Sequence, residues 1–515
     1  QIPHLEKQGS ATHLVVNGQP LLMLAGETGN SSASDPGYMD MIWPKAVSMH
    51  LNSLVVPVYW ELIEPKEGEF DFTLVDSIIV GARVHGMKLV FLWFGTWKNS
   101  MSCYVPLWMK TEQAKYPRAH QKNGRPEEIL TAFDKTNREA DVRAFATLMK
   151  HIRSYDEKDQ TVVLVQVENE IGMIPDARDY SGPANKAFGA QVPQTLLNYL
   201  KDHEDKLAQE LRDLWKKNGS KTKGNWEEVF GNGPNAEEVF MAWYYGEYTN
   251  AVTAAGKKEY PLPMYVNAAL IRPGYKPGQY PSAGPLPHLF DVWRAAAPDI
   301  DFFSPDIYFP TFVEWSTKYS RPDNPLFIPE VGNTQSMANA FYAFGQLDAM
   351  GFSPFSIESL DHPEDNQVSR AYDVLGQLAP LILANQGKGT MAGVLLDSAS
   401  QEVHIKLGEY VFNVRHEYSW PFARRSEGDH PRFGGLIIMV GPDEYYVAGR
   451  GLVVTCSATE DGMKAGIGTL DAGRFIDGTW VPGLRLNGDQ SHQGRHLDLP
   501  GTTFSIQKVR LYKYR

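Results

Sequence analysis

The sequence predicts an α/β protein: a (β/α)8 barrel followed by a C-terminal all-β sandwich. Three observations predict it: eight short β-rich runs, helical stretches between them, and a change of texture near residue 385. The runs are Leu21–Ala25, Ser53–Val58, Lys88–Trp93, Val162–Val167, Met264–Asn267, Phe302–Ile307, Leu326–Pro329 and Phe352–Ile357. Helical periodicity follows in segments such as Thr73–Val84, Glu139–His151, Glu237–Ala255 and Ser369–Ala384. A helix that returns the chain after each strand makes successive strands parallel, and eight such units close naturally into a barrel.

After Ala384 the pattern turns to Gly-punctuated alternation, as in Glu402–Lys406, Leu436–Val440, Glu444–Val447 and Leu452–Ser457. Short alternating strands without a long amphipathic helix indicate a sandwich. A chain of 515 residues exceeds the ~250–300 that one core supports, so a second domain is expected on size alone. The joint is placed in Asn385-Gln386-Gly387-Lys388-Gly389, giving a barrel over 1–385 and a sandwich over 386–515. Between the fourth and fifth runs about 95 residues replace the ~25 of a simple helical return, which marks an insertion over about 176–240. It contains a charged, amphipathic stretch, Val192–Lys217, suited to bracing a surface or walling one side of a cleft on the loop face.

Composition excludes several classes. A formal charge of −12 with no Lys/Arg-dense segment argues against a nucleic-acid partner, and no apolar run reaches the ~18 residues of a membrane span. Cys103 and Cys456 fall in different expected domains and imply no disulfide framework. The sequence begins at Gln1 rather than Met, and export with removal of a signal peptide is the expectation taken from it. No His-Glu-x-x-His, Cys-x-x-Cys or Gly-rich phosphate loop occurs, so neither metal nor cofactor is expected.

In a (β/α)8 barrel, chemistry sits at the carboxyl ends of the strands. The fourth run delivers Glu168-Asn169-Glu170 and then Ile171-Gly172, and the seventh ends in Glu330-Val331-Gly332. A pair of carboxyl groups ~5–5.5 Å apart can hydrolyse a glycosidic bond with retention, one as proton donor and then base, the other as nucleophile. If extended, Glu168 and Glu170 share a face, so alternation does not choose between them. Glu27 at the end of the first run and Asn267 at the end of the fifth are candidate substrate contacts. Trp60, Trp93, Trp97 and Trp243 are candidates for a sugar-stacking platform, with one or two expected to touch substrate. Glu64 and Glu358 are read as structural partners.

The run Val165-Gln166-Val167-Glu168-Asn169-Glu170-Ile171-Gly172 resembles the acid/base motif of glycoside hydrolase family 35, the β-galactosidases of clan A. Trp60-Glu61-Leu62-Ile63-Glu64-Pro65 with Gly68, Phe70 and Phe72 is similar to that family's second-strand signature, and Leu326–Gly332 to nucleophile strands of the clan. The resemblance implies Glu170 as acid/base, Glu330 as nucleophile, Asn169 on the sugar 2-hydroxyl, and Tyr308 beside the nucleophile. Two departures bear on substrate. Gly29-Asn30-Ser31-Ser32 stands where many members carry His-Tyr-x-Arg, and Trp97-Lys98-Asn99 replaces a third-strand Ala-Glu-Trp, which makes Trp97 and Asn99 candidate contacts. The second and third strands look partly like family 42. The implied activity is a retaining exo-β-galactosidase acting on oligosaccharides or plant cell-wall glycans. The rivals are a clan A glycosidase of other specificity (β-glucosidase, β-mannosidase or arabinosidase) and a non-catalytic carbohydrate-binding barrel.

Overall fold

The structure is a computed structural model that describes residues 1–397, 400–416 and 432–515. Eight parallel strands form a closed barrel: β1 (Met23–Glu27), β2 (Ser53–Tyr59), β3 (Lys88–Lys98), β4 (Val162–Asn169), β5 (Met264–Ala269), β6 (Phe302–Ile307), β7 (Phe327–Val331) and β8 (Gly351–Pro354). Neighbours in the barrel are neighbours in sequence all the way round. Strands β2, β4, β6 and β7 are buried along their whole length, as expected of strands covered on both faces. Among the described residues no helix is long and apolar enough to cross a membrane.

All eight expected runs are strands, with ends that move for local reasons. Leu21 belongs to a preceding short strand, Gln19–Leu21, so β1 starts later. Strand β8 stops at Pro354, and Ser356 takes a left-handed φ of 52° into a 3-10 turn, Ile357–Ser359. Strand β3 runs five residues past Trp93, because its register against β4 breaks between Trp93 and Lys98.

By internal contacts the chain resolves into two compact units. The first, residues 1–4, 27–43 and 53–307, contains β2 to β6 and four helices that matter below. These are α1 (Lys135–Asp156), α2 (Gln194–Asp202), α3 (Gln209–Lys217) and α4 (Pro234–Glu259). Helix α1 begins where Asp134 accepts bonds from the N–H groups of Thr136 and Asn137, which otherwise have no partner in the first turn. It packs on α4 at Gly256, whose missing side chain leaves room for Phe145 and Met149. Val192–Lys217 is not one helix. It breaks into α2 and α3 at a 3-10 turn, Glu204–Lys206, where His203 Nδ1 bonds the Tyr199 carbonyl and Asp291 accepts from Ala208 N at 2.9 Å. Helix α3 and the loop after β5 together line a cavity of about 460 Å³ bounded by Leu211, Tyr275, Tyr280 and His288.

The second unit, residues 5–26, 44–52 and 308–515, contains β7, β8 and the all-β region. There β9 (Met391–Leu396), β10 (Glu402–Leu407), β11 (Tyr410–His416), β12 (Phe433–Met439), β13 (Glu444–Arg450), β14 (Leu452–Ala458), β15 (Lys464–Ile476), β16 (Thr479–Arg485), β17 (Leu497–Leu499) and β18 (Ser505–Tyr514) form two sheets. Their orders are β9-β12-β13-β18-β15-β16 and β10-β11-β14-β17. Val394, Ile437, Val447, Leu470 and Val509 of the first sheet share one core with Phe412, Val414, Leu452, Val454 and Leu497 of the second, which makes the pair a sandwich.

At Gly256 a Cβ would lie 2.2 Å from Phe145 Cε1, a clash that outweighs the helix propensity an alanine adds. Gly256→Ala is therefore expected to destabilise the protein by about 1–3 kcal/mol. A thermal melt that is unchanged or raised would show that the α1–α4 contact yields without strain.

Candidate active site

Glu168, Asn169 and Glu170 close β4 with an alternating backbone: Glu168 has φ 61° and Glu170 φ 45°, both left-handed. Extended geometry would have put both acids on one face. The left-handed residues instead separate them. Glu168 is fully buried, whereas Glu170 is half-buried and meets solvent.

The Glu168 carboxyl lies in a closed polar network. It accepts from the N–H of Trp97 at 2.9 Å and from that of Thr96, and it hydrogen-bonds the side chain of Asp141 on α1. Asp141 also accepts from Trp93 Nε1 at 2.8 Å, Thr96 Oγ1 at 2.6 Å and Tyr248 OH at 3.1 Å. Burial first, and the negative Asp141 second, push the Glu168 carboxyl well above its ordinary range. A protonated Glu168 can donate to Asp141. Glu168 is thereby a wall element rather than a mouth acid.

Glu170 is held at both of its peptide groups. Its N–H donates to Asn267 Oδ1 at 2.9 Å, and its carbonyl accepts from Ser100 Oγ at 3.1 Å. Asn267 Nδ2 in turn donates to Asp306 Oδ2 at 2.7 Å, on the adjacent strand β6. A carboxylate can only accept and a peptide N–H can only donate, so both ends of the Asn267 amide are assigned by chemistry. One carboxylate oxygen of Glu170 lies within 4.8 Å of one of Asp306. Past Gly172, whose absent Cβ leaves room for Pro281, Met173 exchanges two backbone bonds with Ser282 of the loop after β5.

Glu330 stands in β7 and is 8% exposed, and Tyr308 donates its hydroxyl to Glu330 Oε1. Tyr308 is 47% exposed, directly after β6 and two residues beyond Asp306. Its ring passes over Gly332, where a Cβ would come within 3.2 Å of Tyr308 Cδ1. That glycine lets the phenol reach back to the acid.

The remaining candidates divide. Asn169 is buried at the end of β4, with Oδ1 accepting from Lys98 Nζ at 3.0 Å. Asn99 is exposed at the tip of the turn after β3 and binds the same ammonium at 2.7 Å. Glu27 is buried at the end of β1. Trp97, expected at a sugar, is 0% exposed and enclosed edge-on by Tyr245 and Tyr248, because the bulge in β3 turns it toward α4. Trp243 is 5% exposed within α4, and Trp60 and Trp93 are fully buried against each other. None of the four indoles offers an open face, whereas Tyr308, directly after β6, is exposed. Glu64 is structural as expected, taking Trp60 Nε1 at 2.7 Å and Gly68 N at 3.0 Å. Lys98, Ser100 and Asp141 went unnoticed in the sequence. A lysine closing an eleven-residue strand whose interior is uncharged and buried was the signal available for the first.

Residues 44–243 match the model of a family described as beta-galactosidase, glycoside hydrolase family 42, and residues 368–498 match a domain of unknown function, DUF5597. Each match covers less than half of the chain, and the first is to a glycoside hydrolase family. No curated protein matches the chain. Similar solved structures include the cold-adapted β-galactosidase of Rahnella sp. R3, at 16% identity over 70% of this chain and 58% of that one, with TM-score 0.48. The catalytic domain of the Paenibacillus polymyxa β-amylase aligns at 12% identity over 67% and 95%, with TM-score 0.47. The β-galactosidase of Bacillus circulans sp. alkalophilus aligns at 16% identity over 70% and 57%, with TM-score 0.47. The chain thus spans under two thirds of the two β-galactosidases.

The upward shift of Glu168 carries a sign. The unfolded chain releases the Glu168 proton near its ordinary value of 4.5, while the folded chain keeps it to a higher pH. The folded state then binds more protons, so this group lowers stability as pH rises from about 4.5 toward the raised folded value. Glu168→Gln keeps one acceptor and one donor and cannot ionise. Its melting temperature relative to the parent is expected to rise as pH increases from about 4 to 8, and a difference that is the same at every pH would show that Glu168 is not held protonated.

Proposed function

We propose that the chain is a retaining exo-β-galactosidase, close to family 35 in its acid/base motif, that removes terminal β-galactosyl residues from oligosaccharides or plant cell-wall glycans. The observation that carries the reading is that Glu170 and Glu330 both stand at carboxyl ends of strands of one closed barrel. Each is held by its own hydrogen-bond set, Asn267 and Ser100 for Glu170 and Tyr308 for Glu330. The family match over residues 44–243 supports a galactoside as the substrate.

In the first half-reaction the Glu330 carboxylate attacks the anomeric carbon while Glu170 gives its proton to the departing oxygen. A glycosyl ester forms and the aglycone leaves as an alcohol. In the second, the Glu170 carboxylate takes a proton from water as the water oxygen displaces Glu330, and the sugar leaves with its configuration retained. Tyr308 orients the attacking oxygen of Glu330. Asn169 gives its amide N–H to a sugar hydroxyl.

Three substitutions test the roles. Glu170→Ala is expected to lower kcat by about 10²–10⁴ on poor leaving groups, with azide restoring turnover and giving a β-glycosyl azide. Glu330→Ala is expected to abolish turnover, with azide giving the α-product; the reverse pairing of products would exchange the two assignments. Tyr308→Phe removes a hydrogen bond to a charged group and is expected to cost about 10–100-fold in kcat. Absence of turnover of any aryl glycoside by the parent enzyme would leave the carbohydrate-binding alternative.

A further inference from the structure

Lys98 ends β3 and forms the base of a tight turn. It exchanges two backbone bonds with Met101, and the two residues between them, Asn99 and Ser100, have φ of 50° and 63°. The strand reaches this point through a bulge: Trp93 is level with Val167, but Lys98, five residues on, is level with Asn169, only two residues on. The Glu168–Asp141 pair holds that bulge through Thr96 and Trp97. One consequence is an ammonium group brought to the residue before Glu170.

The Lys98 side chain is 7% exposed, and no carboxylate forms an ion pair with it among the described residues. An ammonium has three N–H bonds and accepts none. Two go to Asn99 Oδ1 at 2.7 Å and Asn169 Oδ1 at 3.0 Å, and the Phe94 ring lies 5.0 Å from Nζ. The third has no acceptor among the described residues. A second buried donor is unsatisfied beside it, since Asn169 Nδ2 has no hydrogen-bond partner among the described residues although Asn169 is 1% exposed. The two facts are connected. A flipped Asn169 amide would turn its N–H groups onto the ammonium, so the cation forbids the flip and keeps Nδ2 on the opposite side.

Two oriented donors without acceptors among the described residues, one on the residue before the proposed proton donor and one level with it on β3, call for a ligand oxygen near the scissile bond. Leaving such donors buried and unpaired costs about 1–3 kcal/mol each, which a hydroxyl-bearing ligand would relieve. We propose that Lys98 is a substrate-recognition residue, locking the Asn169 amide toward the sugar and giving its own third N–H to a ring hydroxyl. The proposal rests on the glycosidase reading above. It differs from a purely structural role for Lys98 in that it predicts selectivity toward one hydroxyl group.

The test uses the full chain with 4-nitrophenyl β-galactoside and its 2-, 3-, 4- and 6-deoxy analogues. Lys98→Met, which keeps the bulk and loses the donors, is expected to lower kcat/KM on the parent sugar by about 10–100-fold, as removal of a charged donor does. On one deoxy analogue, the one lacking the recognised hydroxyl, the same variant should lose little or nothing. Equal losses on every analogue, or no loss on any, would overturn the role. Asn169→Asp, which keeps Lys98 paired and removes the amide donors, should lose selectivity at the same hydroxyl or its neighbour. If it kept full selectivity, the lock would have nothing to hold. A parent enzyme that cleaves no aryl glycoside sinks the glycosidase reading; one that cleaves them while its variants keep the same selectivity sinks only the role of Lys98.

Discussion

Two left-handed residues at the end of one strand decide which of two neighbouring acids meets solvent. A non-glycine residue in that conformation costs roughly 1–2 kcal/mol, and β4 ends with two of them, Glu168 and Glu170. The surrounding hydrogen bonds offset the cost. Trp97 N–H fixes Glu168, Asn267 fixes the peptide N–H of Glu170, and Ser100 fixes its carbonyl. With both turned, Glu168 points into the layer between barrel and helices, and Glu170 rises at the strand end. Any relaxation of this segment toward an ordinary extended strand would carry both acids to one face.

The network behind β4 shows why a carboxyl can be left in a core. Burial and the neighbouring Asp141 favour the protonated form of Glu168, and tryptophan, threonine, tyrosine and backbone donors surround the two carboxyl groups. Inside a low-dielectric layer those bonds are strong, and any one of them left unmade would be expensive. The network also sets where β3 bulges, and hence where Lys98 and Ser100 arrive. Stability and site geometry therefore draw on the same few residues. Glu330 is supported differently, by a tyrosine hydroxyl whose ring packs over Gly332, where a side chain would be tight.

Eight runs of apolar residues at barrel spacing, together with a C-terminal region of alternating strands, were legible because burial on two faces and on one face leave different period patterns. Glu170 and Glu330 were legible as acids at strand ends, and Asn267 by the same rule. Trp97 and Trp243 were misread because an aromatic residue that stacks on a sugar and one that fills a helix layer have the same composition. Only the turn of the backbone separates them, and the β3 bulge turned Trp97 inward. The break between α2 and α3 was hidden because helical periodicity continues on either side of a single 3-10 turn.

The sequence by itself determined the strand-helix order, the sandwich that follows, and the short list of acids, since hydrophobic period and residue type are local properties of the chain. The tertiary structure alone decided that Glu168 is buried against Asp141 and that Lys98 grips Asn169. Both are contacts between residues 27 and 71 positions apart. Such pairs depend on strand register and on φ values of opposite sign at adjacent residues, quantities set by how the whole barrel closes and absent from any local pattern.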